Sequence, residues 1–457
     1  MALPPRLTRL TSTALLIALA ALPGCREREP EGVALIGGNV IDGSGGPPLR
    51  DAVIIVRGTR IDTIAPRASF RIPRRMLEVD LTGKWVIPGL IDAHAHVEPW
   101  ALDRYIAYGV TSVRNMHGPL DSILALRDRV TLGSQRGPRI YSSGAMIDGA
   151  PPTYPDALVA TDPAEARRAV DSLVLRGVDG LKLYTRVDST LMAAALDEAK
   201  TFNLRTTAHL GLTDALTAAA IGLRSIEHLS GIPEAATPNR EALDLAHRRG
   251  FFTGWTAFVR SWVSLDSTRL ARVAQGLAER QVVLVPTLVL HETLSRLDDS
   301  TLYRDPALAA VPPRAVSDWN TPDMIRRAGW TPDDFATFRR ALPAMERFLR
   351  VFRAAGGIVA TGTDAVNQQL IPGESEHQEL ELLVRAGLAP EDALLAGTRN
   401  GALLIGADSV GTLAPGRVAD LVVLGANPLE NIRNTRQIER VMLRGVLIPV
   451  DSLRASW

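Results

Sequence analysis

Two histidines separated by one alanine close an apolar run, V86-I-P-G-L-I-D-A-H-A-H96. In an extended chain successive side chains alternate between faces, so Asp92, His94 and His96 share one side while Ala93 and Ala95 take the other. Two imidazoles then converge on one point. A lone pair of this kind is equally well explained as a strand running out into solvent, so other potential ligands must decide the matter. His209, His228 and Asp364 each end an apolar run of their own, and Lys182 lies within another, G180-L-K-L-Y184. Taken singly they also have plain structural readings: His209 and His228 as core histidines, Asp364 as a helix N-cap in T363-D-A, Lys182 as a strand-end charge reaching water. Their recurrence at strand ends is the signal, and imidazole and carboxylate together suit a first-row divalent metal.

Such residues can meet only if the strands lie side by side. Eight candidate strands run V86 to His96, V110 to M116, R139 to I147, G180 to Y184, R205 to L210, R224 to S230, V282 to L288 and I358 to A365. The aromatic run F251-F-T-G-W-T-A-F258 competes for the seventh position. Amphipathic stretches such as 161–176 and 188–202 alternate with them, which predicts an α/β fold, a (β/α)8 TIM barrel whose chemistry gathers at the C-terminal ends of its strands. Short β-like runs punctuated by Gly, Pro and Asp occur before this region and again after it, in 34–43, 52–65 and 76–87 and in 411–425 and 438–448. They predict a small β-sandwich built from both chain ends, 33–87 plus 406–457, flanking a barrel over 88–405.

With 457 residues and 51 Lys plus Arg against 50 Asp plus Glu, the chain has no charge excess to recruit nucleic acid or another polyanion. Its N-terminus differs. Arg6 and Arg9 precede the apolar segment 10–24, too short to span a membrane and suited to a signal peptide over 1–24. The segment ends at L22-P-G-C25, and Cys25 is the one cysteine in the sequence, so pairing within the chain is excluded. Gly24-Cys25 resembles the lipobox of bacterial lipoproteins, which implies lipidation at Cys25, a charged tether over 25–32, and an extracytoplasmic protein held to a bacterial membrane by its lipid. Arg26 lacks the aspartate associated with inner-membrane retention, so the outer membrane is expected.

The runs P88-G-L-I-D-A-H-A-H96, L181-K-L183, T207-A-H209, E227-H-L229, T361-G-T-D364 and A414-P-G-R-V-A-D-L-V-V-L424 together resemble the amidohydrolase superfamily of metal-dependent hydrolases. The resemblance implies that His94, His96 and Asp364 hold one metal and His209 and His228 a second. Lys182, converted by carbon dioxide to a carbamate, bridges them. Two Zn(II) ions are the expected cofactors. Such an ion lowers the pKa of its bound water from 15.7 to about 7, giving a metal-bound hydroxide, and Asp364 is the expected proton shuttle. Segment 373–400 is similar to the imidazolonepropionase-related branch, which includes Xaa-Pro dipeptidases and enzymes acting on N-acyl amino acids.

The expected reaction is therefore hydrolysis of amide C–N bonds, of dipeptides or N-acyl amino acids. Alternatives are cyclic amides or other non-peptide acyl substrates and, in a different class, a non-catalytic metal- or peptide-binding lipoprotein. The glutamate that a mononuclear deaminase carries three residues after its strand-five histidine is absent, since Leu210, Gly211 and Leu212 follow His209. Lys182 argues against imidazolonepropionase activity itself. Tyr184 shares a strand face with Lys182 and is a candidate contact for a substrate carboxylate or the developing oxyanion. His117 and His291 follow strands two and seven and are further substrate-contact candidates. The long insertion over 289–335 is a candidate lid.

Overall fold

The computed structural model describes residues 30–455 and 457. The signal peptide, Cys25 and the tether up to residue 29 lie outside the described residues; the tether's last position, Gly32, already opens a strand. Among the described residues no helix is long and apolar enough to cross a membrane.

The two ends of the chain share one eight-stranded sheet. Its order is Val446–Pro449, Ile438–Leu443, Leu421–Leu424, Trp85–Pro88, Gly32–Val40, Leu49–Arg57 and Arg60–Pro66, with Met76–Asp80 paired parallel to Gly32–Val40. Period-two alternation builds its two faces. Leu35 and Ile54 join Val86, Leu421 and Val423 in one apolar cluster, while their sequence neighbours Ala34, Ile36, Val53 and Ile55 form another.

Between the ends, parallel strands alternate with helices in a TIM-barrel-like α/β arrangement. A three-stranded sheet comprises Leu90–Ala95, Val110–Asn115 and Arg139–Ser142. A seven-stranded sheet runs Leu158–Val159, Ile147–Asp148, Gly180–Leu183, Arg205–Ala208, Ser225–Glu227, Val283–Val285 and Ile358–Val359. Backbone hydrogen bonds span the gaps between them. Ala93 N–H donates to the Thr361 carbonyl at 3.0 Å and Asp179 N–H to the Ser142 carbonyl at 2.8 Å. Helices Pro163–Leu175 and Ser189–Thr201 begin where Asp162 and Asp188 accept hydrogen bonds from the first-turn N–H groups.

The expected first and eighth strands need correction, while the seventh lies where it was expected. The run from Val86 to His96 is two strands in two sheets, broken at Gly89, whose N–H bonds the Asp420 carbonyl at 3.0 Å. A Cβ at Gly89 would lie 2.0 Å from the Thr111 hydroxyl, so only glycine lets the chain pass. The eighth strand is only Ile358–Val359, with 361–365 in irregular backbone that still bonds the first strand. The seventh strand is Val283–Val285, and the competing aromatic run is the helix Phe251–Ser261. Phe251, Trp255, Phe258, Val259 and Trp262 repeat at three- and four-residue spacing, a helical period that the β-forming residue types disguise. The 289–335 insertion folds as short helices, Leu288–Ser295, Pro313–Asp318 and Thr321–Ala328 among them, ahead of the long helix Pro332–Ala354.

Candidate metal centre and active-site cavity

At the C-terminal end of Leu90–Ala95, His94 is buried and its Nδ1–H donates to Glu227 Oε2 at 2.6 Å. The other oxygen of that carboxylate accepts from the Arg114 guanidinium at 2.7 Å and from the Thr207 hydroxyl. Burial opposes ionisation of Glu227, but Arg114 and His94 prevail and hold it well below the usual carboxylate range. With Nδ1 committed to Glu227, the lone pair of His94 Nε2 points at Asp364 Oδ1, 3.1 Å away. His96 repeats the pattern: Nδ1 bonds the His117 carbonyl at 3.2 Å and Nε2 lies 2.9 Å from the same Asp364 oxygen.

Two imidazole lone pairs and a carboxylate oxygen thus converge. Their ligand atoms all lie within 4.8 Å of one another. Such an arrangement repels itself unless a cation stands among the three groups, and mixed N/O donors suit a divalent transition ion. Although burial opposes it, Asp364 is held well below the usual carboxylate range by His94 and His96 when the nitrogens facing it carry protons, so the site favours the carboxylate anion wherever positive charge stands among the three groups.

His228 packs on His94 with ring centroids 4.4 Å apart, and His209 on His228 at 4.8 Å. Burial holds both well below the ordinary histidine value, keeping the rings neutral as metal ligands require. His228 Nδ1 is 2.8 Å from the Thr287 hydroxyl. The start of helix Leu288–Ser295 is in turn fixed by Glu379, whose buried carboxylate accepts from the N–H groups of Leu288 at 3.0 Å and Val289 at 2.7 Å. His209 Nδ1 and Lys182 Nζ are buried without any hydrogen-bond partner. Leaving a buried amine and imidazole nitrogen unpaired is costly, so the site fits a ligand that these atoms would meet. Burial brings the Lys182 amine down to about 8.

All six expected ligands line one cavity of about 550 Å³, and Tyr184 and His117 line it with them. The ring of Tyr184 meets that of His209 at 5.0 Å, and His117 Nε2 is 3.1 Å from Asp156 Oδ1. His291 does not reach the cavity. The helix that follows strand seven turns it back into the core, where Nε2 donates to the His228 carbonyl at 3.0 Å and the ring stacks on Trp255. It supports a candidate ligand from behind. The insertion does reach the site, through Leu290, Leu294, Met324, Arg327 and Trp330.

Sequence reasoning missed the partners of the ligands, Glu227, Arg114 and Thr287, and the aromatic wall of Tyr154, Phe251, Phe252 and Trp255. Glu227 was discoverable as the residue preceding His228 in E227-H, a charge inside an apolar strand. Asn115, next to Arg114, is no candidate ligand: its Oδ1 accepts from Val97 N–H at 2.8 Å.

Residues 85–448 match the sequence profile of the amidohydrolase family. An imidazolonepropionase of Pseudomonas entomophila (strain L48) is 28% identical over 396 residues, covering 82% of this chain and 87% of that protein. Among solved structures, a bottromycin amidohydrolase superposes with a TM-score of 0.73 at 23% identity, covering 94% of this chain and 89% of its own. A Xaa-Pro dipeptidase with methionine bound in its active site gives 0.67 at 20% identity, covering 91% and 99%.

Proposed function

Because the chain belongs to the amidohydrolase family of metal-dependent hydrolases acting on C–N bonds, we propose that it cleaves dipeptides or N-acyl amino acids at a centre of two divalent metals. The observation that carries this reading is the convergence of His94, His96 and Asp364 beside His209, His228 and the unpartnered Lys182 amine at the foot of one cavity. His94, His96 and Asp364 would hold one ion and His209 and His228 the other. A carbamate on Lys182 would offer an oxygen to each. Burial that lowers the lysine toward its neutral, nucleophilic form supports that modification, and the imidazole-rich donor set supports Zn(II). When bound, such ions supply Lewis-acid chemistry, acidifying a water and polarising the scissile carbonyl.

The residues of the chain do the rest. Asp364, a carboxylate 3.1 and 2.9 Å from its two histidines, takes a proton from the attacking water and returns it to the departing nitrogen. Tyr184, whose hydroxyl burial pushes well above its ordinary pKa, stays a proton donor and can hold a substrate carboxylate or the developing oxyanion. Glu227 and Thr287 orient His94 and His228.

The bridging hydrogen bonds at Ala93 and Asp179 support a closed (β/α)8 barrel over 88–405, and the shared terminal sheet supports a composite β-sandwich from 33–87 plus 406–457. The motif L22-P-G-C25 supports export and lipid anchoring. Elemental analysis with bicarbonate present tests the centre: the wild type should carry about two divalent ions per chain, and Lys182→Ala should lose both occupancy and turnover. Full metal and full rate in that variant would end the two-metal reading.

A further inference from the structure

The cavity is walled by more aromatic surface than a metal centre needs. Starting beside the candidate ligand His209, the rings of Tyr184 and Phe251 lie 5.0 and 5.9 Å away, and these two stack on each other at 6.1 Å with 18° between their planes. Tyr154 meets both, at 5.8 and 6.5 Å. Farther out, Phe252 packs edge-on to Trp330 at 6.0 Å, with the Arg327 guanidinium 6.0 Å from the centre of the Phe252 ring. Phe251 and Phe252 pack against the core but are only half-buried, and Tyr154 is 40% exposed, so all three rings also turn apolar surface into the cavity. At about 550 Å³ the space is in the range that encloses a drug-sized ligand, and a substrate with small side chains would leave most of this wall wet.

The charges are equally one-sided. Among the described residues lining the cavity, apart from the candidate metal ligands and His117, the one charged side chain is the Arg327 guanidinium, and the single carboxylate is Asp364, already engaged by His94 and His96. No free carboxylate is left to pair with a substrate ammonium, while an anionic substrate is favoured. We infer that the cavity selects N-acylated amino acids with an aromatic side chain, over amino acids with small side chains and over dipeptides with a free amino terminus. This rests on amide hydrolysis being the reaction. The aromatic side chain lies against Phe251, Tyr184 and Tyr154, where offset and edge-to-face ring contacts reward a flat group beyond its area.

The test uses the full-length metal-loaded protein with N-acetyl-L-phenylalanine, N-acetyl-L-alanine and L-alanyl-L-phenylalanine. Tryptophan fluorescence separately measures binding of two uncleavable acids, 3-phenylpropionate and propionate. N-acetylphenylalanine should exceed each other substrate in kcat/KM by about tenfold or more, and 3-phenylpropionate should bind tighter than propionate by a similar factor. Phe251→Ala should draw both aromatic-to-small ratios toward one, and Phe251→Leu should restore part of them. Equal turnover of the two N-acetyl substrates, with equal binding of the two acids, would overturn the aromatic preference and leave amide hydrolysis standing. Cleavage of the free dipeptide as fast as N-acetylphenylalanine would overturn the selection for a blocked amine. If no amide turned over while 3-phenylpropionate kept its Phe251-dependent advantage, the hydrolase reading would fall and the aromatic subsite would stand.

Discussion

Asp364 touches both histidines of the H-A-H pair through one oxygen, at 3.1 and 2.9 Å, which leaves its other oxygen free to handle a proton. Asp364→Asn keeps a weak ligand but cannot shuttle, so kcat should fall by about 10²- to 10⁴-fold while metal content falls far less; stopped assays paired with elemental analysis check both. Near-normal turnover would remove Asp364 from the mechanism. Glu379 makes a different prediction. Burial raises it to about 8, against roughly 4.3 for a free glutamate. Its folded-state pKa thus lies above its unfolded one, so the stability linked to its proton is full below about pH 4 and is lost as pH rises toward 8. Glu379→Gln cannot titrate. Urea unfolding of both proteins at pH 5 and pH 8 should show the wild type losing more stability across that interval than the variant, and parallel curves would contradict the burial argument.

Elements meet at the site through contacts with no slack. Gly362, in the irregular segment after Ile358–Val359, approaches the first strand so closely that a Cβ there would lie 2.6 Å from His94 Cβ and 3.0 Å from the His94 backbone nitrogen. Its role is the close passage of two backbones. Gly362→Ala must push the two segments apart and carry His94 with them. The expected result is a folded protein by circular dichroism, destabilised by about 1–3 kcal/mol, with kcat/KM down by on the order of 10²-fold. Unchanged activity would mean that the segment yields elsewhere. The same scale explains His291: the helix Leu288–Ser295 starts directly after Thr287, and its turn carries position 291 behind His228 instead of into the cavity.

Across the whole molecule, the terminal sheet ties the two chain ends to the strand that bears the histidines. Leu421–Leu424 pairs with Trp85–Pro88, which leads directly into Leu90–Ala95, and the buried Asp420 accepts from Arg139 at 3.0 Å and from Arg444 N–H at 2.6 Å. The site is therefore held from outside the parallel sheets as well as from within. The proposed lipid anchor belongs to this scale as well. If Cys25 is lipidated as proposed, cell fractionation of Cys25→Ser should move activity from membranes to the soluble fraction or leave an unprocessed precursor. A processed variant still bound to membranes would rule the lipid out.

The candidate ligands were legible in the chain because each belongs to or closely follows an apolar run, where a lysine, imidazole or carboxylate stands out, although Lys182 lies within Gly180–Leu183 and Asp364 in the irregular segment after Ile358–Val359. His94, His96, Lys182, His209, His228 and Asp364 could all be read this way and all reach one cavity. What holds and surrounds them could not. Glu227 lies 133 positions from His94 and Glu379 lies 91 from Leu288, and no periodicity links residues that far apart. The aromatic wall stayed hidden for a related reason. Residues that favour strands in isolation were folded into the helix Phe251–Ser261 by the burial of Trp255, Phe258 and Val259, a gain that exists only once the surrounding elements have assembled.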